Sequence, residues 1–305
     1  MSTRLHFLIC LLGLIFFFQA PASANKITVY LTVDWEGWSL DEENLEAMRH
    51  FRAKYPHIPM LHLLNPVYYL RPGVDASKIT EQIRSTLLPR DAQGLHLHGW
   101  KSLMQRCEVS YRTAPSFARA DEECRDKECG YSVSLELAYS ESELTQLVHC
   151  STEMLMEHGF DRPRHFRAGG WQFGPKMTAA LQNNNFTWDS SRTAASLLIP
   201  QWDEASALVE MLRQLHPDVS IHDQPTQLGA GLMQYPNNAS LMDYTSTTQL
   251  LEIFQSLLAA KKPVMVTGFH QETAFVYLDN LEEAILLMEQ AAQTAKVKLE
   301  WGRYD

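Results

Sequence analysis

Two pairs of ionisable residues sit two positions apart in this chain, each at the end of an apolar run. The first is in Thr32-Val33-Asp34-Trp35-Glu36-Gly37. Alternate residues of an extended chain share a face, so Asp34 and Glu36 stand side by side. Two adjacent carboxylates repel, and one must hold its proton tightly unless a cation lies between them. The second pair is in Gly94-Leu95-His96-Leu97-His98-Gly99-Trp100. His-x-His on a strand presents two imidazoles to one metal ion. A carboxylate with two histidines leaves coordination positions open for water, which suits catalysis more than structure. Three single residues follow. Arg167 precedes paired glycines in His165-Phe166-Arg167-Ala168-Gly169-Gly170-Trp171, Asp189 lies in Thr187-Trp188-Asp189-Ser190-Ser191, and His270 lies in Gly268-Phe269-His270-Gln271-Glu272. A histidine just past a buried strand is placed to act as general acid or base. Each residue also has a plainer role open to it: acids cap helices, a lone histidine fills a core, and an arginine decorates a turn.

The elements that must position these groups alternate. Ile27–Val33, Ile58–Leu64, Gly94–His98, His165–Arg167, Phe186–Trp188, Pro263–Thr267 and Val297–Trp301 read as short apolar strands. Helical spacing of apolar residues appears in Asp41–Ala53, Ala76–Leu88, Glu141–His158, Pro175–Gln182, Thr247–Ala260 and Leu281–Ala295, with Gly159 as a stop signal. Strands alternating with helices predict an α/β fold with a parallel sheet or barrel, whose function belongs at the C-terminal ends of the strands. All five motifs fall there. Two stretches break the alternation, the cysteine-bearing 107–139 and the turn-rich 195–241. Both read as insertions on one face of a single domain spanning 25–305.

The 305 residues are 45% hydrophobic and 20% charged, which excludes disordered and low-complexity classes. A formal charge of −10 argues against nucleic acid and against anionic lipid as partners. Residues 1–24 read as an export leader: Arg4, an apolar run over Leu5–Phe18 too short to span a bilayer, and an Ala-x-Ala site ending at Ala24. An uncleaved anchor is the alternative reading. Export to the periplasm or the medium fits the four remaining cysteines, Cys107, Cys124, Cys129 and Cys150, an even number that suggests two disulfides with three pairings open.

The ordered motifs, each at a strand end, resemble those of the polysaccharide deacetylase family, the NodB-homology carbohydrate esterases. The resemblance runs from about Ile27 to Trp301. It implies a deformed (β/α) barrel of about seven parallel strands, and a metal-dependent hydrolase that removes N-acetyl, or O-acetyl, groups from a glycan. By the same resemblance Glu36, His96 and His98 hold a divalent metal, zinc by default. Asp34 is the base and Arg167 its orienting partner, Asp189 is a supporting acid, and His270 is the general acid. The chain departs from the family pattern where Trp35 replaces a second Asp and where Trp100 stands in place of a later His. Trp35, Trp100 and Trp171 flank the motifs and are expected to stack on sugar or wall the acetyl pocket. Two rival readings stay open: a barrel of this kind that binds glycan without turnover, and a glycosidase using Asp34 or Glu36 with Asp189.

Overall fold

The computed structural model describes residues 26–118, 128–200, 203 and 206–304. The leader read over 1–24 lies outside them, as does Cys124. Nine strands are described: β1 (Lys26–Asp34), β2 (Met60–Leu64), β3 (Ala92–Leu97), β4 (His165–Ala168), β5 (Trp188–Asp189), β6 (Thr226–Leu228), β7 (Leu232–Gln234), β8 (Val264–His270) and β9 (Lys298–Trp301). The helices between them are α1 (Glu42–Lys54), α2 (Ala76–Arg84), α3 (Lys101–Arg106), α4 (Leu135–Ala138), α5 (Glu141–Glu157), α6 (Pro175–Asn183), α7 (Ala207–Leu215), α8 (Thr247–Ala259) and α9 (Ala274–Ala295). Among the described residues no helix is long and apolar enough to cross a membrane.

The sheet order is β6-β7-β5-β4-β3-β2-β1-β8. Seven of these strands are mutually parallel and only β6 runs antiparallel, to β7. β9 adds to the lower half of β1, below β2 on the same edge. The seam between β7 and β8 carries no regular ladder. The chain after β7 runs beside β8 instead, with the Ala239 amide donating to Val266 O at 3.1 Å and the Met242 amide to Gly268 O at 2.9 Å. The Asn238 side chain completes the seam by donating to Val264 O and accepting from the Val266 amide. Side-chain amides thus stand in for backbone pairing and satisfy edge groups that would otherwise be buried unpaired. This is the parallel barrel expected from the alternation, deformed as the family resemblance implies.

β1 shows why these residues form a wall strand. Ile27, Val29, Leu31 and Val33 are buried among the helices, while Tyr30, Thr32 and Asp34 face the barrel interior, the period-two pattern of a strand covered on both sides. Outside, α5 and α8 begin in capping boxes, Ser140 with Glu143 and Ser246 with Gln249. α5 ends before Gly159, whose φ of +78° suits glycine.

Two expectations are corrected. Stretch 195–241 is not wholly an insertion, since β7 belongs to the wall; three residues are too short to show an alternation. It also holds α7, which the spacing did not separate from the turns around it. The final long helix begins at Ala274, not Leu281, because its first two turns expose Phe275 and Val276 and so blur the apolar stripe. One disulfide is placed, Cys107 to Cys150, tying the end of α3 to α5. Cys129 is also disulfide-bonded.

Candidate functional site

The barrel interior is layered. Its lower end is plugged by rings: Tyr30 meets Tyr235 and Tyr304 at 5.2 and 5.5 Å, and Trp188 stacks on Tyr235 at 5.2 Å. Above the plug, Arg167 crosses the interior. Its Nε donates to Ser190 O, its Nη2 to Ser190 Oγ, and its Nη1 to both Thr32 Oγ1 and Asp34 Oδ1 at 2.8 Å. The guanidinium is fully buried, so it has to be paired, and Asp34 supplies its charge. Breaking a buried pair of this kind costs about 3–5 kcal/mol.

Strand register assembles the top layer. Asp34 lies opposite His270 across β1 and β8, and His96 lies opposite Arg167 across β3 and β4. Glu36 then meets three imidazoles, with Oε2 2.6 Å from His98 Nε2 and Oε1 3.4 Å from His96 Nε2 and 3.1 Å from His270 Nε2. Asp34, Glu36 and His270 place ligand atoms within 4.8 Å of one another, as do Glu36, His96 and His98. Burial pushes the Glu36 carboxyl up, but the His98, His96 and His270 imidazoles outweigh it and hold that group well below the usual range.

The outer nitrogens of the two strand histidines decide what this cluster can hold. His96 Nδ1 faces Arg167 O at 3.0 Å and His98 Nδ1 faces Tyr131 O at 2.8 Å. A neutral imidazole held this way carries its proton on Nδ1 and a lone pair on Nε2. The two Nε2 atoms point at each other across 3.1 Å, beside a Glu36 Oε2 that lacks a hydrogen-bond partner. Three electron-pair donors converging in a buried space call for a cation, and two nitrogens with one carboxylate suit a zinc-like ion. Tyr131 also lays its ring on His98, with centroids 4.0 Å apart. Gly169 makes room for this imidazole, because a Cβ there would come within 2.4 Å of it.

His270 is oriented from its far side. Asp243 Oδ2 lies 3.0 Å from Nδ1, and the Asp243 carboxylate is itself fixed by Thr273 Oγ1 and by the His270 amide. Burial alone would lower the His270 pKa, but Asp243 and Glu36 raise it well above the ordinary value, so the ring is an imidazolium near neutral pH. Asp243 carried no motif in the sequence. It comes into place only because the Met242–Gly268 seam runs alongside β8.

Three expected roles change. Asp189 does not bond to Arg167 or His270: its carboxylate takes hydrogen bonds from Ser191 and from Gln234 Nε2, and burial pushes it up to about 7. Its contribution is indirect, because Ser191 Oγ accepts the Ala168 amide beside Arg167. The carboxylate that meets His270 is instead Asp243. Trp35 and Trp100 are fully buried and offer no face to a ligand. Trp35 packs edge-on against Tyr68, and Trp100 donates from Nε1 to Glu36 O, positioning the carboxylate loop from beneath. Trp171 does line the cleft, together with Phe117, Tyr131, Leu208 and Tyr244. The cleft holds about 30 Å³, space for roughly one or two waters.

Neither the family models nor the curated proteins yield a match to this sequence. Solved structures do align along nearly the whole chain. A family 4 carbohydrate esterase from Streptomyces lividans, in complex with acetate, is 11% identical with a TM-score of 0.44, covering 91% of this chain and 93% of that one. A Mycobacterium smegmatis protein described as a polysaccharide deacetylase is 11% identical with a TM-score of 0.49, covering 94% and 96%. A carbohydrate esterase family 4 pseudoenzyme from Bacillus anthracis is 12% identical with a TM-score of 0.40, covering 91% and 64%. Identities this low leave the residues of the site to be judged on their own geometry.

Proposed function

We propose that this chain is a divergent member of the polysaccharide deacetylase family, an exported metal-dependent hydrolase that removes acetyl groups from a glycan. The observation that carries the reading is the tautomer-fixed pair His96 and His98 converging with Glu36, flanked by Asp34 on Arg167 and by His270 on Asp243. A base and an acid held apart around one cation-ready centre are the parts amide hydrolysis needs. Export is supported by the leader pattern and by the Cys107–Cys150 bridge, which persists in oxidising compartments.

Glu36, His96 and His98 would hold the metal, which when bound supplies Lewis acidity toward a carbonyl oxygen and toward water. Asp34, aimed by Arg167, takes a proton from the attacking water. The amide C–N bond breaks, the water oxygen leaves in acetate, and His270 delivers its Nε2 proton to the departing amine. Asp34 then releases the water-derived proton to solvent, His270 recovers a proton from solvent, and Asp243 keeps the ring turned for the next cycle. Trp171 and Leu208 keep the acyl side of the cleft apolar and exclude bulk water.

The test is metal content and acetate release by the purified chain beside a His96→Ala/His98→Ala variant. Near-stoichiometric zinc and acetate release in the wild type, both lost in the variant, are the expected result. A wild type that takes up no zinc at neutral pH contradicts the metal-dependent reading.

A further inference from the structure

The two acids of the first motif are held in different ways. Asp34 is the last residue of β1, in register with Leu63 on β2 and with His270 on β8. Glu36 lies beyond the ladder, whose last backbone bond here runs from the Trp35 amide to Leu63 O at 3.0 Å. A ligand carboxylate on chain that no ladder holds must have its direction set by other contacts. Side chains supply them. The Glu36 carbonyl accepts from Asn65 Nδ2 at 3.1 Å and from Trp100 Nε1 at 3.0 Å. The Glu36 amide donates to the Glu272 carboxyl group, 3.1 Å from Oε1 and 3.3 Å from Oε2, and among the described residues it has no other acceptor.

Glu272 closes the Gly268-Phe269-His270-Gln271-Glu272 motif, and no step of the hydrolysis uses it. It is itself fixed from two sides. The buried Tyr68 donates its hydroxyl to Oε1, and Asn44 Nδ2 donates to the Glu272 backbone carbonyl at 2.9 Å. Among the described residues no Lys, Arg or His pairs with this carboxyl group, whose charged neighbour is Glu36. One carboxyl group set close to another without a cation of its own costs stability instead of adding it. The same 3₁₀ turn, Gln271–Thr273, carries Thr273, which fixes Asp243 behind His270. Adjacent residues of one turn thus hold the ligand carboxylate and the partner of the general acid.

We propose that Glu272 is a positioning residue for the metal centre: by accepting the Glu36 amide it turns the Glu36 carboxylate toward the lone pairs of His96 and His98. The inference rests on the metal-dependent reading and adds to it the residue that sets the ligand's direction. Glu272 acts through Glu36, so its removal shows first in metal affinity.

The experiment measures the zinc dissociation constant of wild type, Glu272→Ala and Glu272→Gln by competition with a chromophoric chelator, and the visible spectrum of each loaded with cobalt(II). Urea unfolding of the metal-free chains runs beside it. Glu272→Ala leaves the amide without its acceptor and should weaken zinc binding about tenfold to a hundredfold, with altered cobalt bands. Glu272→Gln keeps a carbonyl oxygen for the amide and should restore both the affinity and the spectrum. Zinc affinity and cobalt bands unmoved in Glu272→Ala overturn the positioning role, and a fall in urea stability alone then makes the residue structural. An equal loss in Glu272→Gln also overturns it, assigning the effect to the charge and not to the acceptor. If Glu272→Ala does not fold, Tyr68→Phe tests the same contacts by removing the hydroxyl on Oε1. It should weaken zinc binding, and an unchanged constant there overturns the proposal. A wild type that binds neither zinc nor cobalt removes the metal-dependent reading, and the positioning role with it, before any variant is compared.

Discussion

Two buried histidines at opposite ends of the barrel titrate in opposite directions. His165 begins β4 at the lower end, with Trp188 and Tyr304 rings 5.7 and 5.9 Å away, and burial drives its pKa down to about 4. His270 ends β8 at the upper end, and against the same burial Asp243 and Glu36 raise it well above the ordinary value. Residue type and depth are alike, so the neighbours set the protonation state. Around His165 the lower end offers rings and backbone groups, which solvate a neutral imidazole, and the buried carboxylate at that end, Asp91, is paired with Arg52. The upper end is built from carboxylates, which demand a charged one or a metal. One end holds the barrel together and the other carries its chemistry.

The contrast is tested most severely at Asp34. Asp34→Asn removes the base and leaves the buried Arg167 without its charge partner, so stability should fall by about 3–5 kcal/mol and, in the folded enzyme, kcat for acetate release should fall about a thousandfold while bound metal stays at the wild-type level. Turnover near wild type would make the upper carboxylates as structural as the lower rings. Next in size is Asp243→Asn, expected to lower kcat about a hundredfold. Asp243 raises the His270 pKa, so without it the imidazolium gives up its proton at lower pH, and the alkaline limb of the pH–rate profile should move toward acid. An unmoved limb would mean that Asp243 only braces the loop.

Effects at the lower end should appear in stability and not in turnover. Trp188→Ala removes a ring from the plug and should cost about 3–5 kcal/mol in urea unfolding, with zinc content and acetate release retained under native conditions. Lost metal in that variant would erase the division between the two ends. The smallest effect belongs to His165. It is neutral in the fold, while the unfolded chain takes up a proton from about pH 6.5 downward. Its contribution is therefore intact above about pH 6.5 and is lost as pH falls toward about 4. His165→Phe should reduce the stability lost between about pH 7 and about pH 4.5 by about 2 kcal/mol. An unchanged loss would show that the ring is already solvated.

Much of this was legible because it is local. Asp34 with Glu36 and His96 with His98 share a face through the period of a strand, and the structure indeed brings all four together. Arg167 and His270 were found as strand-end residues, and they meet that cluster through strand order. The tryptophans misled because Trp35 and Trp100 occupy motif positions yet turn under the loops they belong to. Asp189 misled because its neighbour Ser190, not its own carboxylate, meets Arg167. Asp243 and Tyr131 left no periodic signal, since each lies in irregular chain held by seam and loop contacts.

The sequence by itself determined the alternation of strands and helices, the polar strand ends and the period-two pairing of the reactive groups, because these depend on residues a few positions apart. Only the tertiary structure decided which carboxylate serves which imidazole and which nitrogen of His96 and His98 is left free. Those depend on groups far apart in the chain, brought within about 3 Å by register and by the irregular closure of the barrel, and no local pattern encodes that distance.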